Sequence, residues 1–178
     1  MRIINGTLKG LKFKTYHGDN TRPTSDVAKE GLFNTLESIV DFEGLSILDL
    51  FAGTGNIGLE FLSRGAQRVD SVDHYLNNIR YMQEIKKINA LESWHLHKQD
   101  VMSFLKTAIT VPDIIFADPP YDYSRIHDLV ELILNLEWFR SSGCILILEH
   151  VDRLVFNQKE LFLKKQYGNT SFSCFKIK

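Results

Sequence analysis

From residue 46 onward the chain alternates short apolar runs with amphipathic stretches, and that alternation admits very few folds. Ser46–Phe51 reads as a buried strand, and Arg68–Asp73, a weakly marked Trp94–Gln99, Asp113–Ala117 and Gly143–Glu149 read as further strands. Between them, helical spacing appears through Arg64, from Tyr75 to about Asn89, over Val101–Ile109 and over Ser124–Glu137. Residues 161–167 and 170–177, broken at Gly168-Asn169, read as a closing antiparallel hairpin. Strands alternating with helices predict an α/β fold, a doubly wound Rossmann-like sheet that is mostly parallel. Ahead of it, Ile3, Ile4, Leu8, Leu11 and Phe13 alternate loosely around Gly6 and Gly10, which predicts an N-terminal β-hairpin. A helix follows, capped by Thr24 or Ser25 and carrying Ala28, Leu32, Leu36 and Ile39 on one face. One domain over 1–178 is expected, with a basic extension at 1–22 and a core at 23–178.

Size and composition agree: 178 residues, 44% hydrophobic and 24% charged, suit one globular domain rather than a disordered chain. The longest apolar run, Cys144–Leu148, is far too short for a membrane helix, and the first residues lack a signal-peptide core. Cys144 and Cys174 have no metal-type or redox-type spacing. These features predict a cytoplasmic chain with no membrane partner. The formal net charge of −1 is unevenly spread: residues 1–22 and 159–178 each carry +4, and the stretch between carries −9. If the two ends meet in space, they form a footprint for a phosphate backbone; as isolated terminal lysines they only aid solubility.

Asp49-Leu-Phe51-Ala52-Gly53-Thr-Gly55-Asn-Ile-Gly58 sits where the first strand turns into a helix. Glycines there let a ligand approach the backbone, and the helix N-terminus offers free N–H groups. Gly53-x-Gly55-x-x-Gly58 matches the dinucleotide fingerprint, with Asp73 twenty residues after Gly53, so a nicotinamide cofactor is a rival ligand. Against a pyrophosphate stands Asp49, whose carboxylate repels phosphate and suits an ammonium group. Asp100 follows the third strand. Acids after three successive strands match a cationic amino acid, a ribose diol and an adenine amine, the three features of S-adenosylmethionine. Taken singly, each acid reads equally as a helix cap.

Asp118-Pro119-Pro120-Tyr121 follows the fourth strand, at the sheet edge where such folds bind ligands. Two prolines remove two N–H donors and leave carbonyls that only accept. Beside the Asp118 carboxylate this makes an acceptor corner for an exocyclic amine. Tyr121 offers a face for base stacking, worth roughly 1–3 kcal/mol per base. His95-x-His97 alternates on a strand, and two such ligands make no structural metal site.

These residues resemble amino-group methyltransferases that use S-adenosylmethionine. The wider pattern is similar to the RsmD-type family of bacterial 16S ribosomal RNA guanine-N2 methyltransferases. It comprises Arg2-Ile-Ile-x-Gly6-x-x-x-Gly10-x-Lys12, Arg22-Pro-Thr24-x-Asp26-x-x-Lys29-Glu30-x-Leu32-Phe33-Asn34 and Leu59-Glu-x-Leu62-Ser-Arg64-Gly-Ala66. The resemblance spans nearly the whole chain; it departs at Asn5, Leu11 and Asp73, where that family has glycine, a basic residue and glutamate. It implies that Asp49, Phe51, Ala52, Gly53 and Gly55 hold the methionine part, Asp73 the ribose, and Asp100 and Val101 the adenine. Asp118, Pro119 and Tyr121 would hold the guanine. Arg2, Lys9, Lys12, Arg22 and Thr24 would contact RNA.

The resemblance further implies a monomeric enzyme that yields S-adenosylhomocysteine and acts on 16S RNA in an assembled or assembling small ribosomal subunit. The guanine N2 lone pair is a poor nucleophile, so hydrogen bonds to Asp118 and Pro119 would favour a pyramidal nitrogen. The sulfonium is already activated, and no metal is required. Three rivals stay open: adenine-N6 methylation of another nucleic acid, a nicotinamide oxidoreductase, and a non-catalytic RNA-binding assembly factor. The chain is short for a separate DNA-recognition domain, which disfavours the first.

Overall fold

A computed structural model describes residues 1–12, 26–107 and 110–177. The five apolar runs form strands β1 (Ser46–Leu50), β2 (Arg68–Asp73), β3 (Trp94–Lys98), β4 (Ile114–Ala117) and β5 (Ile145–Val151), joined by β6 (Leu161–Tyr167) and β7 (Thr170–Lys176). Helices α1 (Asp26–Glu37), α2 (Asn56–Ser63), α3 (Leu76–Ile88), α4 (Val101–Thr107), α5 (Ile126–Asn135) and α6 (Glu137–Ser142) connect them. The seven strands form one sheet in the order β3-β2-β1-β4-β5-β7-β6. The first five pair in parallel, and β7 runs antiparallel to both β5 and β6.

Period-two alternation on the strands divides the core into two layers. Ile47, Val69, Ile114, Ile145 and Ile147 pack with α1, α2 and α3; Leu48, Val72, Ile115, Leu146 and Leu148 pack with α4, α5 and α6. The strand order reverses between β1 and β4, which opens a crevice at the carboxyl edge. On the first layer Phe33, Phe42 and Phe61 meet edge to face at 4.7–5.8 Å between ring centroids. The Tyr167 hydroxyl donates to the Gly31 carbonyl at 2.8 Å and ties β6 to α1.

Two expectations change. The amphipathic stretch 124–137 is not one helix: Leu136 is extended (φ −63, ψ 130), and α6 starts after it. The N-terminal segment forms no strand pair among the described residues, only an isolated antiparallel bridge between Arg2 and Lys12. The Ile3 N–H still reaches the Leu11 carbonyl and the Gly10 N–H the Ile3 carbonyl, each at 2.9 Å, and α2 supplies further partners. Glu60 accepts the N–H groups of Ile4 and Asn5, and Ser63 accepts that of Leu8 and donates to the Asn5 carbonyl. The cap at Thr24 or Ser25 lies outside the described residues.

Glu60 is itself fully buried, between Lys29 at 3.1 Å and Arg64 at 2.9 Å. Lys29 is equally buried and also donates to the Arg2 carbonyl and Asn56; burial holds its ammonium below its ordinary pKa. Removing one member of a buried ion pair strands the other charge, at a cost of about 3–5 kcal/mol. Glu60→Ala should lower the stability by that order in urea unfolding and speed exchange of the Ile4 and Asn5 amides. A variant with wild-type stability and protected amides would contradict this.

Candidate active site

The glycine loop begins at a strained position. Phe51 has φ +59, a conformation that costs a non-glycine residue roughly 1–2 kcal/mol. The Ala52 N–H is bonded to the Val72 carbonyl and the Gly55 N–H to the Ala52 carbonyl, which fixes the turn. Gly55 combines φ +78 with the closest packing: a Cβ there would lie 2.3 Å from the Trp94 ring. Trp94 is fully buried under the loop, and its indole N–H donates to the Ser71 hydroxyl at 2.9 Å.

Carboxylates take up the N–H groups that a phosphate cradle would use. The Gly53 N–H donates to Asp73 Oδ2 at 2.8 Å, and the Gly58 N–H, in the first turn of α2, donates to Asp49 Oδ2 at 3.1 Å. Asp49 also accepts the Ser71 hydroxyl at 3.2 Å. Asp73 accepts the Tyr75 N–H at 2.7 Å and the Asn78 side-chain amide at 3.0 Å, so it joins the loop to the start of α3.

Register explains the grouping of the acids. Asp49 pairs with Ser71 on β2 and Phe116 on β4, and Phe116 pairs with Ile147 on β5. Two residues beyond that level stand Asp73, Asp118 and Glu149. Across the crevice the order is therefore Asp73, Asp49, Asp118, Glu149. Asp49, Asp73 and Glu149 are buried, and Asp118 is half-buried. Burial pushes the Asp49 carboxyl up to about 7, against the hydrogen bonds from Ser71 and Gly58 and with a further push from Asp118 and Asp73. Burial and then the charge of Glu149 hold the Asp118 carboxyl well above the usual range.

Beyond Asp118 the chain turns at once, with the Tyr123 N–H bonded to the Pro120 carbonyl at 2.8 Å. Pro119 is buried and Tyr121 is 44% exposed. Tyr123 packs edge-on against Phe51, centroids 5.2 Å apart, and so joins this turn to the glycine loop.

The remaining predicted residues are more dispersed. Asp100 caps α4, accepting the N–H and hydroxyl of Ser103 at 2.9 and 3.0 Å; Val101 is buried behind it. Arg2, Lys9 and Lys12 are exposed. Met1 reaches Asn56 in the first turn of α2, whereas Thr7 and Leu8 sit at Ser63, its last residue. Lys9 follows them, roughly one length of α2, about 12 Å, from the glycine loop. Arg22 and Thr24 lie outside the described residues. Sequence reasoning missed Ser71, Asn78, Trp94, Tyr123 and Glu149 as parts of this site. Glu149 alone left a signal, an acid closing an apolar strand as Asp118 closes β4.

A family model described as "Conserved hypothetical protein 95" matches residues 1–176. A Bacillus subtilis protein named "Putative rRNA methyltransferase YlbH" is 33% identical over 99% of this chain and 98% of its own. "Ribosomal RNA small subunit methyltransferase D" of Escherichia coli is 30% identical over 85% of this chain and 76% of its own. Among solved structures, "Putative methyltransferase yhhF" from Escherichia coli superposes with TM-score 0.84 at 25% identity, covering 99% of this chain and 97% of that one. SMU.776, described as complexed with SAH, shares the fold with TM-score 0.67 at 18% identity, over 84% of this chain and 49% of that one.

The Asp49 carboxyl makes stability depend on pH. Its pKa of about 7 in the fold exceeds the ordinary 3.8, so between those values the folded chain binds the proton more tightly than the unfolded chain. The stability from this group is full at low pH and is lost as pH rises through that window. Asp49→Asn removes the loss. Its advantage over the parent in urea midpoint should be smallest near about pH 4 and grow toward about pH 8. A constant difference across that range would show that Asp49 is ionised throughout.

Proposed function

This chain belongs to the family described as conserved hypothetical protein 95, and from that premise we propose that it methylates the exocyclic N2 amine of a guanine in 16S ribosomal RNA, using S-adenosylmethionine. The observation that carries the reading is the pairing of the Gly53 and Gly58 N–H groups with Asp73 and Asp49. A pyrophosphate would need those donors and would meet two carboxylates instead. A ligand with an ammonium group, a sulfonium and a ribose diol meets acceptors where it needs them. The names of the Bacillus and Escherichia relatives support ribosomal RNA as substrate.

Asp49 and the Phe51–Gly55 backbone would hold the methionine portion, Asp73 the ribose hydroxyls, and Asp100 with Val101 the adenine. When bound, S-adenosylmethionine supplies an electrophilic methyl group on a sulfonium sulfur. The protein's own part is alignment and charge. Asp118 and the Pro119 carbonyl accept the N2 protons, drawing the amine toward a pyramidal form and stabilising positive charge that develops on nitrogen. Tyr121, exposed beside them, stacks on the base. An unpaired RNA loop presents such a base edge without disruption of a helix. We assign the N-terminal basic residues Arg2, Lys9, Lys12 and Arg22, with Thr24, to phosphate contacts outside the catalytic corner. The modest net charge suits a substrate whose ribosomal proteins complete the docking surface.

The test is transfer of isotopically labelled methyl groups to small ribosomal subunits that lack their native modifications, read by nucleoside mass spectrometry. Labelled N2-methylguanosine is expected. Labelled N6-methyladenosine would keep the enzyme class and overturn the base; no transfer to any acceptor would favour a binding factor. Asp118→Ala should reduce kcat by about 100-fold or more, as loss of a donor or acceptor aimed at developing charge does, with cofactor affinity retained. A large loss of cofactor affinity would contradict the assignment.

A further inference from the structure

One buried carboxylate in the crevice has no part in the reading above. Glu149 is 2% exposed in the second half of β5, the strand next to β4. The last β4–β5 pair is Ala117 with Leu148, so Asp118 and Glu149 stand one step further on, across a strand spacing of about 4.8 Å. Its neighbour on the other side, across β7, is Phe172, flanked by Ser171 and Ser173. His150 turns to the opposite face and bonds the Ser173 hydroxyl at 2.8 Å. Asp49, on β1, feels the Asp118 charge from the other side, but the shift at Asp118 itself comes from burial and Glu149. A carboxylate so deeply buried beside another is costly for the fold, and mere packing would be served better by an apolar residue.

We infer that Glu149 is a positioning residue that acts through Asp118, setting its affinity for the proton that the substrate amine releases. This rests on the methyl-transfer reading. Once the N2 nitrogen has formed its bond to the methyl carbon, it carries a positive charge and a surplus proton. The N–H bond breaks, its electron pair stays on nitrogen, and the proton forms an O–H bond with Asp118 before passing to water. An isolated, solvated carboxylate is a weak acceptor for that proton. The negative charge of Glu149 alongside makes Asp118 a stronger one, consistent with the direction in which its carboxyl is displaced.

Carboxyl-carbon NMR titration of the ligand-free full chain tests the pairing directly, with the Asp118 signal assigned by its loss in Asp118→Asn. Glu149→Gln removes the like charge, and the Asp118 midpoint should fall by about one pH unit or more. Glu149→Asp withdraws the charge by one methylene and should lower it partway; this variant decides the matter if Glu149→Gln does not fold. In turnover, the acidic limb of the kcat profile should move to lower pH by the same amount, with KM for the methyl donor unchanged. An Asp118 midpoint that does not move overturns the proposal, as does a uniform loss of kcat with an unshifted profile. If the parent transfers no methyl group to RNA, the functional reading fails, and the titration still decides whether Glu149 sets Asp118.

Discussion

The open edge of this sheet depends on two backbone hydrogen bonds, from Gly53 to Asp73 and from Gly58 to Asp49. Each spends a loop N–H on a carboxylate held by a neighbouring strand. The glycine loop thereby loses the character of an anion cradle, although its sequence matches one. Its shape is then fixed from below: a side chain at Gly55 would strike Trp94, and one at Gly58 would come within 2.9 Å of Asp49 and Ser71. The amides at the start of α2 and in the loop are met by acidic side chains rather than left free for an anion. Parallel register extends the row of acids sideways to Asp118 and Glu149.

A second buried charge ties the N-terminus to this arrangement. Glu60 lies on α2, whose first turn bonds Asp49, and it also holds Lys29 on α1 and the amides of Ile4 and Asn5. Arg64 completes the group, stacking over Phe33 at 4.6 Å from the ring centroid. The basic segment around Lys9 and Lys12 is thus docked on the helix that presents the glycine loop. Lys9 itself does not reach the crevice.

Much of the fold was legible because β1, β4 and β5 are buried on both faces and read as apolar runs, while β2 and the half-buried edge strand β3 follow from their places between helical stretches. The break at Leu136 was not, because the apolar periodicity runs on from α5 to Phe139 and only the backbone dihedrals change. The N-terminal alternation around Ile3 was read as a hairpin; a pattern of side chains cannot say whether backbone partners come from a strand or from Glu60 and Ser63. At the site, Asp49, Asp73 and Asp118 were legible from their places after strands and around the glycines. Asp100 was legible in the same way, and in the fold it also caps α4. Glu149 stayed hidden because its meaning lies in register: only pairing with β4 sets it beside Asp118.

On the proposed reading, the acids at this edge select a cationic adenosyl ligand over an anionic dinucleotide despite the glycine fingerprint. Calorimetric titration of the full chain with S-adenosylmethionine and, separately, with NAD tests it most directly. Stoichiometric binding of S-adenosylmethionine and no heat of binding with NAD are expected. Binding of NAD with none of S-adenosylmethionine would contradict it, and would mean that the Asp49 and Asp73 contacts give way to a pyrophosphate.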